Sequence, residues 1–202
     1  MIVIIDYNVG NVHSVSNALK FLGCPARLSS NESEIRSADG IILPGVAAFG
    51  YAKNQLGKLD KAIKDFAQTG KPVLGICVGH QLLFDRSFEQ GEHKGLGLIA
   101  GDVVPLPAGR VIPHMGWNMV SLPEDMEIFD SLGGEKHFYF AHSYYANITD
   151  KDAKIAFTDY GFDLPAAVQK GKIFGTQFHP EKSGPQGLQV LKNFARICEK
   201  GL

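Results

Sequence analysis

The stretch Lys71-Pro72-Val73-Leu74-Gly75-Ile76-Cys77-Val78-Gly79-His80-Gln81-Leu82-Leu83-Phe84 constrains the fold more than any other part of the chain. Its apolar run breaks at a cysteine between two glycines and resumes at helical spacing, which predicts a strand, a sharp turn and a helix. Small residues around such a turn let the backbone hold the central side chain in a strained, exposed position at the end of a sheet, as in the Gly-x-Ser-x-Gly elbow. Here the central group is a thiol, placed at a helix N-terminus whose unpaired N–H groups and dipole favour thiolate. Cys77 is the candidate nucleophile.

The segments before it alternate between strand and helix. Ile2 to Ile5 is a β-branched run suited to a strand buried on both faces, and it empties into the polar loop Asp6-Tyr7-Asn8-Val9-Gly10-Asn11. Val12, Val15, Ala18, Leu19 and Leu22 follow helical spacing up to Gly23. Pro25 to Ser29 is expected as a second strand, and Asn31 with Glu34 as a capping box opening a short helix. Gly40 to Leu43 reads as a third strand, followed by the loop Pro44 to Gly50. Leu59, Ala62, Ile63, Phe66 and Ala67 mark an amphipathic helix. This βαβα order argues for a parallel sheet covered by helices on both faces.

From Gly95 onward the pattern changes to short β-like pieces at 102–106, 118–122, 137–141, 155–157, 166–169 and 173–178, expected as antiparallel hairpins, with a turn at Lys170-Gly171-Lys172. A helix from Pro185 to Ile197 closes the pattern. The whole of 1–202 is expected to form one domain, since 202 residues fit the usual domain size. A formal charge of -1 gives no basic footprint for nucleic acid or an acidic membrane. The first residues enter a strand without a basic leader, and no apolar run nears the ~18 residues of a membrane span. A cytoplasmic location is the expectation. Cys24, Cys77 and Cys198 lie far apart without a CxxC, so no disulfide framework and no metal site is expected.

A cysteine nucleophile needs a base and a group that orients the base. In Gln177-Phe178-His179-Pro180-Glu181, an extended backbone would put His179 and Glu181 on one face, with His179 as general base and acid and Glu181 as its orienter. The oxyanion hole should use the N–H of Val78 and a second N–H from the Gly45-Val46 loop, where glycine lets the peptide plane rotate. An elbow and a histidine would equally serve a cysteine peptidase, so these residues alone leave the acyl substrate open.

Gly75-Ile76-Cys77-Val78-Gly79-His80-Gln81-Leu82-Leu83 together with His179-Pro180-Glu181 resembles the triad, or class I, glutamine amidotransferases. Tyr7-Asn8-Val9-Gly10-Asn11, Pro44-Gly45-Val46-Ala47-Ala48-Phe49, Pro113-His114-Met115-Gly116-Trp117-Asn118 and His142-Ser143-Tyr144-Tyr145 are similar to the glutaminase subunits of imidazole glycerol phosphate synthases. The resemblance implies a flavodoxin-like mixed sheet flanked by helices, with additional antiparallel strands in the C-terminal half. It also implies hydrolysis of glutamine to glutamate and ammonia through a glutamyl thioester, with no cofactor. Gln81, His142, Ser143 and Tyr144 would line the glutamine pocket. The implied partner is a cyclase subunit of TIM-barrel fold in a 1:1 heterodimer, met by Asn11, Trp117, Asn118 and Lys182. Two residues depart from the family pattern: Ala47 stands where glycine is usual, and His80 stands for methionine. His80 matches the elbow of other ammonia-channelling synthases, whose glutaminase subunit is the alternative.

Overall fold

In the computed structural model, which describes residues 1–200, the β-branched and apolar runs form the centre of a sheet. Strands β1 (Ile2–Ile5), β2 (Ala26–Ser29), β3 (Gly40–Gly45) and β4 (Val73–Cys77) pair in parallel in the order β2-β1-β3-β4. Every residue of β1, β3 and β4 is buried, as expected of strands covered on both faces. Helices α1 (Val12–Phe21), α2 (Glu32–Ser37), α3 (Phe49–Leu56) and α4 (Leu59–Gln68) connect them. The elbow follows as α5 (Val78–Gln81), and α6 (Gly184–Lys200) ends the described chain.

The second half supplies β5 (Arg86–Ser87), β6 (His93–Lys94), β7 (Gly101–Pro105), β8 (His114–Ser121), β9 (His137–His142), β10 (Tyr144–Ile148), β11 (Lys154–Asp159), β12 (Asp163–Lys170) and β13 (Ile173–Thr176). The main sheet has nine strands in the order β2-β1-β3-β4-β13-β12-β11-β8-β9, and a four-stranded sheet has the order β10-β7-β5-β6. The mixed α/β architecture flanked by helices is as expected.

Several local expectations are corrected. The piece at 173–178 is not simply a hairpin strand: β13 pairs antiparallel with β12 but parallel with β4, and so joins the two halves of the sheet. Its apolar sequence satisfies either direction, because both of its neighbours are buried strands. The elbow helix ends after one turn at Gln81 instead of running to Phe84, since Leu83 and Phe84 close turns onto His80 and Gln81. Asn31 does cap α2, through Ser33 N at 2.8 Å, but the reciprocal half of the box is absent. Ser29 Oγ takes the Asn31 N–H and Glu34 pairs with Arg27 instead. Helix α3 and the short strands β5, β6 and β10 have too few apolar repeats to be read from periodicity.

Packing at the elbow is tightest where β3 and β4 end together, with Gly45 opposite Cys77. A Cβ on Gly79 would overlap the Leu43 carbonyl oxygen, and one on Gly75 would lie 2.5 Å from the Gly79 carbonyl oxygen. Backbone cannot yield as a flexible side chain can. Gly79→Ala is therefore expected to destabilise the protein by about 3 kcal/mol, a fall in Tm of about 10 °C for a chain of this size. Thermal unfolding followed by circular dichroism checks this, and an unchanged Tm would contradict the packing described.

Candidate active site

Cys77 has φ 54° and ψ -111°, a positive-φ backbone that a non-glycine residue adopts only when its surroundings enforce it. The close backbone contacts of Gly75 and Gly79 enforce it here. The thiol lies in a cavity of about 330 Å³ lined also by Val46, Gln81, His142, Tyr144 and His179. Its sulfur is 4.0 Å from the Ala141 carbonyl oxygen and 3.9 Å from Gln177 Nε2.

His179 follows β13 and is clamped to β9. Its N–H donates to the Tyr139 carbonyl at 2.9 Å, and Ser183 Oγ donates to the His179 carbonyl at 2.6 Å while accepting from Tyr139 N at 3.0 Å. The segment after it is not extended: Pro180–Lys182 forms a 3-10 turn. That turn, and not alternation along a strand, brings Glu181 Oε1 to 2.8 Å from His179 Nδ1. Both side chains are buried. Burial lowers the His179 pKa, but hydrogen bonds with Cys77 and Glu181 outweigh it and push the value up to about 9. With Nδ1 engaged by Glu181, Nε2 is the nitrogen left for Cys77.

Gln81 projects from the elbow helix and donates through Nε2 to the Tyr144 carbonyl at 2.9 Å and to Gln177 Oε1 at 3.1 Å. His142 Nδ1 meets the same carbonyl at 2.8 Å. Val78 and Val46 flank the thiol, and Gly45 packs against Val78 Cβ, Gly79 N and the Tyr7 hydroxyl. Tyr7 in turn donates to the Pro44 carbonyl at 2.5 Å, and its own pKa is raised by burial and by nearby Cys77. None of Gly45, Val46 and Ala47 has a positive φ.

The structure thus gathers Cys77, His179, Glu181, Val78, Val46, Gly45, Gln81, His142, Ser143 and Tyr144 at one cavity, with Lys182 on its wall. Asn11, Trp117 and Asn118 do not line it. Asn11 caps α1 through Ser14 N at 3.3 Å, Trp117 is exposed beside Tyr139, and Asn118 donates to the Asp159 carbonyl at 3.0 Å.

The glutamine amidotransferase class-I family model matches residues 3–198. The chain belongs to that family. It is 49% identical to the imidazole glycerol phosphate synthase subunit HisH of Listeria innocua, over 98% of this chain and 97% of the relative. It is 47% identical to the protein of the same name from Caldanaerobacter subterraneus, over 98% and 99%. A solved structure of a putative GMP synthase component from Thermoplasma acidophilum superposes with a TM-score of 0.76 at 24% identity, covering 98% of this chain and 94% of that one, which shows the shared fold.

Three residues of this amidotransferase's cavity region escaped the sequence. Glu89 stands on the cavity wall and caps α3 by accepting from Phe49 N at 2.7 Å, forty positions away in the chain. Gln177 bridges Gln81 and Cys77, and Ser183 holds the His179 backbone. A polar residue beside a motif gives no sign of its partner when that partner comes from another strand.

His80, fully buried against Phe84, has no hydrogen-bond partner among the described residues at either ring nitrogen. Burial, then the nearby His142, pushes its pKa down to about 3, and burial does the same to His142, also to about 3. Both therefore bind protons more readily in the unfolded chain, near the ordinary value of 6.5. Their contribution to stability is complete above that value and is lost as the pH falls toward 3. Acidification from pH 7 to 5 is expected to remove about 2 kcal/mol per histidine. His80→Met should halve this loss and raise stability at pH 7 by about 1 kcal/mol. Urea unfolding of both proteins at the two pH values is the check; equal acid sensitivity would contradict it.

Proposed function

We propose that this chain is the glutaminase subunit of an imidazole glycerol phosphate synthase, active as one domain in the cytoplasm. The observation that carries the chemistry is His179, tied to Glu181 on one nitrogen and facing Cys77 with the other, inside a cavity sized for an amino acid. The name of the relatives supports the pathway, histidine biosynthesis.

The reaction follows from these groups. His179 takes the Cys77 proton, and the sulfur attacks the side-chain amide carbon of glutamine. N–H groups of Val78 and the Gly45-Val46 loop receive the charge that develops on the amide oxygen. The imidazolium then protonates the leaving nitrogen, ammonia departs and a γ-glutamyl thioester remains. His179, neutral again, activates water, and hydrolysis returns the thiol and releases glutamate. Glu181 keeps the imidazole oriented throughout and favours its charged form. Gln81, held on the Tyr144 carbonyl, shapes the pocket with Ser143, and Glu89 offers the negative charge suited to the substrate's α-amino group.

Ammonia released into neutral water would be protonated and lost as a nucleophile. A docked acceptor removes that problem, and the surface beside the cavity suits one. Met115, Trp117 and Met119 alternate along β8 and are 65%, 55% and 60% exposed, and Met115 also lines the cavity. Contiguous apolar exposure of this kind marks a docking face. The occupant proposed is a TIM-barrel cyclase in a 1:1 heterodimer. It would take ammonia through a sheltered passage to make imidazole glycerol phosphate and aminoimidazole carboxamide ribotide, lyase chemistry that lies in the partner.

In the complex, Cys77→Ala is expected to lower glutamine-dependent synthesis about 1,000-fold or more while leaving ammonia-dependent synthesis within twofold. Loss of both would contradict the role given to Cys77. Trp117→Ala combined with Met115→Ala is expected to weaken association with the cyclase at least about tenfold by calorimetry, and unchanged affinity would remove this face from the interface.

A further inference from the structure

Two further histidines stand beside the site, and the proposed triad uses neither of them. His142 ends β9 and pairs across the sheet with His114 of β8, so both rings point inward while Met115 and Trp117 are exposed. His114 Nδ1 is 3.0 Å from His142 Nε2, and His142 Nδ1 is 2.8 Å from the Tyr144 carbonyl oxygen. That oxygen also receives Gln81 Nε2 at 2.9 Å.

The proton positions follow from what each atom can do. A carbonyl oxygen only accepts, so His142 Nδ1 carries hydrogen. Burial keeps His142 neutral, its pKa pushed down to about 3, so its Nε2 is a bare acceptor. His114 Nδ1 must then carry the hydrogen that fills it. Burial also lowers the His114 pKa, with Asn118 beside it offsetting part of this, so its own Nε2 is bare. That nitrogen is buried without a hydrogen-bond partner among the described residues, and Asn118 turns its amide N–H to Asp159 instead. The His114 ring is fixed by stacking on Tyr160 at 4.0 Å and Phe140 at 4.7 Å. Every donor in the chain therefore points one way, from His114 through His142 to the carbonyl that anchors Gln81.

We propose that His114 is a positioning residue of the glutamine pocket: its Nδ1–H holds His142 in the tautomer whose Nδ1–H fixes the Tyr144 carbonyl and, through it, Gln81. In the opposite tautomer a bare His142 Nδ1 would face the carbonyl lone pairs, and the anchor would repel. The role in substrate binding rests on the glutaminase reading; the tautomer does not.

Two variants separate the hydrogen bond from packing. His114→Phe keeps a ring between Tyr160 and Phe140 and removes the donor, whereas His114→Asn loses the ring and keeps an N–H near the Nδ1 position. In the wild-type chain, long-range proton–nitrogen NMR should show His142 with Nδ1 protonated and Nε2 bare. His114→Phe should give mixed or exchange-averaged nitrogens, and His114→Asn should restore the wild-type pattern. In the complex with the cyclase, His114→Phe should raise the KM for glutamine roughly tenfold with kcat within about twofold, and His114→Asn should recover most of the loss. A wild-type His142 protonated at Nε2, or His114→Phe with wild-type nitrogens and wild-type KM, would overturn the proposal. So would equal loss in both variants, which would mean packing alone. The expected NMR pattern with no glutamine hydrolysis by the wild-type complex would count against the glutaminase reading and leave the tautomer lock standing.

Discussion

The approach of Gly79 to the Leu43 carbonyl fixes where the other groups of the site can stand. Two parallel strands, β3 and β4, end side by side, and the chain leaving β4 must fold back over its neighbour within one residue. Only a residue without a side chain allows that approach, and the turn forces Cys77 to positive φ. The thiol is thereby held where backbone contacts put it, within hydrogen-bonding reach of His179 and with Gln177 Nε2 and the Ala141 carbonyl oxygen 3.9 and 4.0 Å from sulfur.

Around this fixed point, the remaining groups come from strands distant in sequence and are joined by short polar links. Ser183 ties the His179 backbone to β9, the Tyr144 carbonyl ties Gln81 to the start of β10, and Tyr7 ties the first strand-end loop to the Pro44 carbonyl. The Gln81 link couples the four-stranded sheet to the elbow, the Tyr7 link couples the first loop to β3, and the Ser183 clamp holds the segment after β13 on β9. β13 makes this possible by pairing parallel with β4 and antiparallel with β12, so that His179 emerges beside Cys77. The buried, unpartnered His80 next to this junction costs stability, and nothing in the structure explains its presence there.

Much of this was legible from residue order. The glycines and β-branched runs dictated the parallel strands and the elbow, because backbone constraints of that kind leave local marks. The pairing of His179 with Glu181 was expected for a different reason from the one found: an extended backbone would have aligned them, whereas a 3-10 turn after His179 does so. What stayed illegible was whatever depends on contacts between distant segments, including the direction of β13, the cap that Glu89 gives α3, and the clamp of Ser183. Asn118 illustrates the same limit. The family resemblance implied a place for it at a partner surface, but no local pattern announced that its side chain donates to the Asp159 carbonyl, 41 positions away.

The central claim, that the thiol held at this elbow is the group that acts on glutamine, is tested most directly by covalent trapping. The complex is treated with a glutamine-directed diazo-ketone such as diazo-oxo-norleucine, and modified peptides are mapped by mass spectrometry while glutaminase activity is followed. The expected result is one label on the peptide containing Cys77, with activity lost in proportion to labelling. Full activity in labelled enzyme, or inactivation accompanied by label on Cys24 or Cys198 alone, would contradict it.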